Sequence, residues 1–474
     1  MKKSILVLSI LISFSVSGIF AQIDTINFSD YKLPDLKRQT LNFNLNLTNF
    51  YNSNYMSDTI QTYDNNKLFT LTNNFETQYH YFKNTRKYQG NHSVYVNIKN
   101  HFHFEAYTPD SIFIYLSNEQ ENIFTGSINI SSNNKFYFEN NRFWGINFNF
   151  HTSAILNSSK QNFINPDNIE NKISSSDLSF SNLISTSFSI GKGRIEPVND
   201  YIHAIYILNK LTEEGMASKN HEKKDIIKLA KFIAQLKNKR FFDSRKKRIF
   251  ELEQLDSFLN INHIISQNDI HYFTTLNDYW IYAGNQYRNE GKIFSFYLKP
   301  EFQPNKNILK EQDTISGIFK YNNFNIAPGF NFTSSKNLNL YWQRNYWIDI
   351  NYPFFNYYTD TESIFESDFS DHINVNAGFG YLYYPNTRTS LNFNLSSGYG
   401  LNSDNFILFN TNSNISHSIN FNLQISGYYY ISPQFRLSFN GNLSDYYNLQ
   451  FYYTRPKQNT LLSHFLIGLQ YSLF

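Results

Sequence analysis

The sequence predicts an all-β transmembrane fold: an antiparallel up-and-down β-barrel of about 14 strands with a helical periplasmic insertion. Long segments alternate apolar and polar residues with a period of two, which is typical of strands. The connections between these segments alternate between short and long. The composition agrees, because 18% of the residues are aromatic while only 17% are charged.

The composition also excludes several classes of protein. The 474 residues include no cysteine, which excludes a disulfide scaffold and a thiolate metal site. A helical membrane protein is excluded because no apolar run of about 18 residues follows the N-terminal stretch. The net charge of +3 gives no reason to expect nucleic acid as a partner.

The first 21 residues have the pattern of a secretory signal peptide. Lys2 and Lys3 form a basic start, an apolar stretch follows, and small residues lead to Ala21. We therefore predict cleavage between Ala21 and Gln22 and a periplasmic N-terminal segment over 22–39. The anchor alternative is disfavoured because the apolar core is short.

The predicted barrel is divided into strands 1–6, within 40–191, and strands 7–14, within 280–474. One segment, for example, places Ile419, Phe421 and Leu423 on one face and asparagine or glutamine on the other. The predicted strands are 40–52, 68–82, 92–106, 121–131, 135–153, 177–191, 292–302, 317–332, 336–350, 370–384, 387–402, 412–430, 434–447 and 461–474.

Loop lengths indicate the type of barrel. Short turns are predicted at 83–91, 132–134, 333–335, 385–386 and 432–433, and the intervening connections are long and polar. Short turns at one end and long loops at the other are typical of outer-membrane barrels. The apolar face would then point to lipid, and the asparagine-rich face would line the lumen.

Two arginines have the same parity as lipid-facing residues. Arg344 lies on the same predicted strand face as Trp342 and Ile348, and Arg142 lies on the same predicted face as Trp144. Because a lipid-facing arginine costs about 2–4 kcal/mol at mid-depth and little near the interface, we expect each either near an interface or beside a bulge.

The segment 192–279 changes to helical periodicity. Apolar residues repeat with spacings of three and four, beginning at Tyr201, Ile226 and Ile249. If the chain ends lie at the short-turn end, this insertion lies in the periplasm. Three roles remain open: a subdomain without a partner, a plug or gate, and a docking surface for a periplasmic protein or peptidoglycan.

The junction into the insertion is a compact strand-to-helix motif. Gly191 and Gly193 permit tight backbone geometry, and Arg194 follows them. Pro197 suits the first turn of a helix, and Glu196 favours its N-terminal dipole. The motif lacks the ending of a phosphate-binding loop.

A second polar cluster, within 238–245, contains Arg240, Asp243 and Arg245. We expect internal ion pairs that fix the packing of the helices, with contact to a partner as the alternative.

Chemistry-bearing residues give weaker signals. His101, His103 and Glu105 share one strand face and are weak candidates for a metal site, because one strand supplies few convergent ligands. His151 and Ser153 share another face, but no motif selects a nucleophile. We therefore predict no catalytic site, no metal and no cofactor.

The whole mature chain resembles outer-membrane β-barrel proteins of the Bacteroidota type. The resemblance is carried by the signal peptide, by the asparagine and aromatic alternation, and by the C-terminal strand ending in Phe474. It implies contact with outer-membrane lipid and insertion by the barrel-assembly machinery, whose signal includes the terminal aromatic residues. The chain departs from the pattern because Ser472 occupies the usual aromatic position, with Tyr471 displaced by one.

The sequence thus leads to three functional hypotheses. The first is a passive channel or transporter for small solutes in the outer membrane of a Gram-negative bacterium. The second is a structural or assembly component that docks a periplasmic protein through the insertion. The third is a barrel enzyme resembling lipid hydrolases.

Overall fold

A computed structural model describes residues 27–57, 63–109, 116–164, 170–217, 221–239, 244–266, 269–284, 286–312, 314–360, 366–368, 372–403, 415–450 and 458–471. The expected signal peptide lies outside the described residues. The expected N-terminal segment is described from residue 27, where a 3-10 turn spans Phe28–Asp30.

The strands form one antiparallel sheet in which consecutive strands of the chain pair with each other. This order is that of an up-and-down β-barrel, which confirms the predicted fold class. The bounds are β1 Leu36–Ser57, β2 Tyr63–Asn84, β3 Tyr88–Pro109, β4 Leu116–Tyr137, β5 Arg142–Ile164, β6 Glu170–Pro197, β7 Asn289–Glu311, β8 Thr314–Asn337, β9 Trp342–Asn351, β10 Phe355–Asp360, β11 Glu366–Asp368, β12 His372–Asn386, β13 Thr389–Ser403, β14 Ile415–Tyr430, β15 Phe435–Gln450 and β16 Gln458–Tyr471.

Fourteen of these strands form the continuous path, and β10 and β11 lie off it. β8 pairs with both β9 and β10, so these two are one strand line interrupted near Pro353, which has no backbone N–H to donate. β1 and β16 are the ends of the path and run antiparallel, the relation that barrel closure requires. Within the described residues each has one paired neighbour, and their apolar side chains are correspondingly exposed, as at Phe43 and Phe465.

The two faces of the sheet differ as the alternation predicts. Large apolar side chains such as Phe148, Phe188 and Phe296 are exposed on the outer face. Arg142 is the first residue of β5, and Arg344 is the third residue of β9, with its guanidinium 5.0 Å from the ring centroid of Tyr346. Both arginines therefore lie at the ends of strands, where contact with an interface costs least.

Three predicted turns are wrong, and the smallest displacement is that of the β12–β13 turn, which lies at 387–388 instead of 385–386. The turn between β4 and β5 lies at 138–141 instead of 132–134, and the turn between β8 and β9 lies at 338–341 instead of 333–335. The serine and asparagine runs that indicated turns are paired in the ladders, as in Asn91↔Asn133. At 138–141, Asn140 and Asn141 adopt positive φ, which asparagine tolerates well. The strands thus extend further toward this end than the local composition suggested.

Four helices form the predicted insertion, with bounds α1 Asn199–Glu213, α2 Lys223–Leu236, α3 Ser244–Ile261 and α4 Ile270–Ala283. They are termed the cap. None of these helices has the length and apolarity required to cross a bilayer, within the residues that the structure describes. The apolar stripes explain their packing: Leu229 and Ile233 of α2 and Leu255 and Leu259 of α3 are fully buried.

The boundaries of the insertion differ from 192–279. β6 and β7 remain paired as far as Pro197↔Asn289, so the strand pair projects beyond the expected junction before α1 begins. We refer to the connections at 85–87, 138–141, 338–341, 387–388 and 431–434 as the short-turn rim. The cap leaves the sheet at this same end.

Candidate functional site

The cap and the N-terminal segment share one apolar core beside the short-turn rim. Phe28, Tyr31 and Leu33 are buried together with residues of all four helices. The ring of Tyr31 stacks on that of Tyr201 at 5.3 Å between centroids, and Phe28 meets Tyr201 edge-on at 6.2 Å. Burial of these rings fixes the N-terminal segment between α1 and the sheet.

The strand pair that carries the cap approaches very closely at two glycines. Gly193 has a φ of +109° and Gly291 a φ of +127°, a region that residues with a side chain rarely adopt. A Cβ on Gly193 would lie 2.0 Å from the carbonyl oxygen of Lys292. A Cβ on Gly291 would lie 2.1 Å from the carbonyl oxygen of Arg194. Gly191 is also crowded, with Phe143 and the backbone of β7 beside it.

Glu196 joins three parts of the chain at the junction. Its carboxylate lies 2.8 Å from the Arg86 guanidinium and 3.2 Å from that of Arg194, and it accepts a hydrogen bond of 2.8 Å from the Leu33 amide. Arg194 also donates to the Asn84 side chain at 2.7 Å. The expected roles at a helix start are therefore wrong for Glu196 and Pro197: the strand continues through both residues, and α1 begins only at Asn199.

Asp200, in the first turn of α1, is a second point of attachment. Its carboxylate lies 2.8 Å from the Arg38 guanidinium of β1 and 3.1 Å from Nζ of Lys237, which follows α2. Burial alone would raise the pKa of Asp200, but Lys237 and Arg38 outweigh it and hold the pKa below its ordinary value. The ionised carboxylate thus links α1 both to the barrel and to α2.

The other side of the cap contacts turns further along the sheet. Asp278 of α4 forms an ion pair with Arg388 in the β12–β13 turn, and the ring of Tyr282 lies 5.7 Å from that of Tyr430 on β14. The Tyr206 hydroxyl donates to the Leu340 carbonyl in the β8–β9 turn at 3.4 Å. The cap therefore spans the short-turn rim from β1 to β14.

Arg288, just before β7, fixes the β8–β9 turn. Its fully buried guanidinium donates to the Asn337 side chain at 2.8 Å, to the Asn339 carbonyl at 2.8 Å and to the Leu340 carbonyl. Burial lowers the pKa of Arg288 to about 10, so the group remains cationic at neutral pH. Only the structure identifies this residue, because its acceptors, one side-chain amide and several backbone carbonyls, are about 50 residues away in the chain.

A cavity of about 880 Å³ lies in the lumen next to the cap. Phe82 both lines this cavity and packs against the apolar core that the cap shares with the N-terminal segment, so the cavity lies next to that core, although its lining residues come from the strands and their ends. Nine of the lining residues carry a side-chain amide: Gln89, Asn91, Asn133, Asn147, Asn149, Asn289, Asn325, Asn331 and Asn351.

The charged groups of the cavity balance each other. Two lysines and two carboxylates line it, so their formal charges sum to zero. Lys299 lies 2.7 Å from Glu301. Asp349 accepts hydrogen bonds from the Tyr297 hydroxyl at 3.1 Å and from the Asn331 amide at 3.3 Å. Neutral amides and hydroxyls therefore dominate the surface that a solute would meet.

The weak metal candidates do not converge. His101 shares a hydrogen bond of 2.7 Å with Thr72, and His103 lies 3.8 Å from Glu105. Within the part of the chain that the structure describes, no three His, Asp or Glu side chains are grouped to hold a metal ion. His151, the enzyme candidate, contacts the Asn129 side chain instead.

The remaining predicted residues are only partly described. Arg240 and Asp243 lie outside the described residues, and Arg245 is exposed at the start of α3. The side chain of Tyr471 is exposed on the last described residue of β16, and Phe474 lies outside the described range. The ion pairs expected within 238–245 and the C-terminal signal stay predictions.

The sequence signals for the attachment points were incomplete. Arg38, Arg86 and Arg388 were missed because a basic residue near a strand end carries no local sign of a distant acidic partner. The one usable signal was their shared placement beside the segments predicted to lie at the short-turn end. Their partners, Asp200 and Asp278 in the cap and Glu196 at the end of β6, are more than 100 residues away in the chain.

No family model and no curated protein matches the sequence. Among solved structures, the chain has a weak similarity to the translocator domain of the autotransporter NalP from Neisseria meningitidis, with 7% identity, a TM-score of 0.27 and coverage of 78% of this chain and 84% of that one. The transport unit of the autotransporter AIDA-I from Escherichia coli gives 10% identity, a TM-score of 0.20 and coverage of 97% and 96%. At these scores the fold assignment rests on the strand pairing of this chain alone.

Proposed function

We propose that this protein is an outer-membrane β-barrel channel for small solutes whose periplasmic mouth is controlled by the cap. The observation that carries the proposal is the amide-lined cavity inside the sheet, directly beside the helices. A neutral polar lumen hydrogen-bonds solutes without strong selection for ionic charge.

The orientation of the barrel follows the rule for outer-membrane barrels. Short turns face the periplasm in that class, so the cap would lie on the periplasmic side. Aromatic side chains on the outer face near this rim support an interface there, as where Phe136 stacks on Trp144 at 4.3 Å and Trp342 on Tyr383 at 4.2 Å.

Control by the cap is supported by its attachments. Asp200 ties the cap to β1, and Asp278 ties it to the β12–β13 turn. An element fixed to distant parts of the rim restricts passage as long as the contacts persist. A change that releases one side would let the helices move away from the lumen while the paired strands β6 and β7 hold the other.

Docking of a periplasmic protein is the second candidate. Ile261, Ile270 and Phe273 are exposed near the connection between α3 and α4, with exposed fractions of 73%, 83% and 44%. Exposed apolar side chains at one place on a surface are a common feature of contact sites.

The two functions are separated by conductance in planar bilayers. Because Pro197 pairs with Asn289, residues 198–288 can be replaced by an Asn-Gly turn that closes β6 and β7 into a hairpin. We expect low conductance for the full chain and high, sustained conductance for the capless variant. Asp200→Asn should show intermediate, fluctuating openings, because it removes the charge that holds Arg38 and Lys237.

Folding of both variants is checked first by circular dichroism and by the heat-dependent gel shift of folded barrels. Correctly folded protein without conductance, with and without the cap, would contradict the channel function and leave docking as the candidate to pursue.

A further inference from the structure

We infer that the lumenal cavity binds an uncharged, polyhydroxylated molecule of the saccharide class. This inference deepens the proposed function and rests on it, because the cavity lies on the path that a solute would take.

The lining chemistry selects for hydroxyl groups. A side-chain amide both donates and accepts, as a sugar hydroxyl does, so amides pair with hydroxyls in either direction, whereas a carboxylate only accepts and an ammonium only donates. The carboxylate of Glu301 is held by Lys299 at 2.7 Å and by the Gln303 amide at 2.9 Å. Asp349 accepts from Tyr297 and Asn331. The acids are thus occupied by protein donors, and the second cation of the lining, Lys135, contacts the Asn133 amide oxygen at 3.4 Å and lies 6.0 Å from the ring centroid of Phe143.

An aromatic ring lies on the inward face of β9, next to lining residues of the cavity but outside its wall. Trp347 is the cross-strand partner of Thr333, which lines the cavity, and it lies two residues from Asp349 on the same inward face. One side of the Trp347 ring lies against Gly378, where a Cβ would come within 2.6 Å of the indole nitrogen. The side chain remains 36% exposed. A flat, exposed ring beside amides is suited to packing against the C–H face of a sugar while its hydroxyls reach the amides.

The size of the cavity is compatible with such a ligand. Its volume of about 880 Å³ falls in the range of small-molecule sites, roughly 300–1,000 Å³. Apolar side chains, among them Phe82 and Ile293, line part of the wall and exclude water from one side of a bound molecule.

Calorimetric titration of the full chain in detergent tests the inference. The probes are maltotriose, a polyethylene glycol of equal mass that can only accept hydrogen bonds, and trigalacturonate as a charged trisaccharide. We expect saturable binding of maltotriose, weaker binding of trigalacturonate, and no saturable binding of the glycol.

Trp347→Leu should weaken maltotriose binding on the order of tenfold. Asn149→Leu, at an exposed lumenal amide, should weaken it about fivefold.

Trp144→Leu is the matched control, because Trp144 has a similar exposed fraction, 39%, on the outer face. It should leave binding unchanged. Absence of saturable maltotriose binding, tighter binding of trigalacturonate, or equal effects of the Trp347 and Trp144 substitutions would overturn the inference. The readout does not depend on conductance, so a conducting channel without binding contradicts this inference alone, and binding without conductance contradicts the channel alone.

Discussion

Gly193 and Gly291 set how closely the two strands that carry the cap approach each other. Both have backbone conformations in which a side chain is strained, and both face a carbonyl oxygen of the partner strand. At both positions, where the barrel passes into the cap, the backbone conformation and the lack of space for a Cβ therefore both require glycine.

Gly193→Ala should destabilise the protein by more than about 1 kcal/mol, because alanine disfavours positive φ and its Cβ would clash with the Lys292 carbonyl. Urea unfolding of the detergent-folded protein measures the effect. Gly126→Ala is the control, since its Cβ would meet only Phe124, at 4.0 Å, and the change should stay within about 0.5 kcal/mol. Equal losses for the two variants would show that the close approach at Gly193 has no special role.

The junction also shows which properties of single residues can be predicted from the sequence and which cannot. The spacing of Gly191 and Gly193 indicated tight geometry, and both glycines are crowded in the structure. The partners of Glu196 could not be predicted, because Arg86 and Leu33 come from a distant turn and from the N-terminal segment. Local propensity carries no information on such contacts.

Within the helices, α1 carries a histidine that is shielded from solvent. His203 is fully buried; its Nε2 lies 3.2 Å from the Tyr279 carbonyl, and its ring lies 4.9 Å from that of Trp280. Burial lowers the pKa of His203 well below its ordinary value of 6.5, and Lys237 lowers it further, while Asp200 acts in the opposite direction.

The cap should therefore lose stability as the pH falls below about 6.5. The folded pKa of His203 lies below the unfolded one, so the unfolded state binds the proton first, and stability present above this pH declines by about 1.4 kcal/mol per pH unit. Denaturant unfolding at pH 5.0, 6.0 and 7.5 measures this, with Trp280 as the probe and the other three tryptophans replaced by phenylalanine.

His203→Gln supplies the control for this pH dependence. The glutamine amide can still donate to the Tyr279 carbonyl but does not titrate, so the slope should fall by one proton. A smaller slope remains from His221, whose pKa burial also lowers. An unchanged slope in the variant would contradict the assignment to His203.

The elements themselves could be predicted to different degrees. Helical stripes such as Leu229 and Ile233 were recognisable because one face must be buried, and the structure buries it. Of the three misplaced turns, those predicted at 132–134 and 333–335 were wrong because serine and asparagine favour turns in isolation but here pair within long ladders. Pairing with a neighbour outweighs local turn preference wherever the hairpin continues.

At the scale of the whole molecule, alternation and loop lengths were enough to predict the barrel topology. Each strand of the continuous path pairs with the next strand of that path in chain order, although β9 reaches β12 past the short strands β10 and β11 and β6 reaches β7 past the cap, so the order of the strands along the chain orders the sheet. The position of the cap across the rim could not be predicted in the same way. It depends on a few side-chain contacts with turns far apart in the chain, as at Asp200 and Asp278.

The central claim is that the apolar face of the sheet contacts lipid and the amide face lines a polar interior. Because the chain has no cysteine, single cysteines placed one by one from Ile419 to Ile425 of β14 can each carry one spin label. Accessibility to oxygen and to a water-soluble nickel chelate is then measured in lipid vesicles. We expect labels at 419, 421, 423 and 425 to meet oxygen and those at 420, 422 and 424 to meet the chelate. Accessibility that does not alternate along these seven positions would contradict the account.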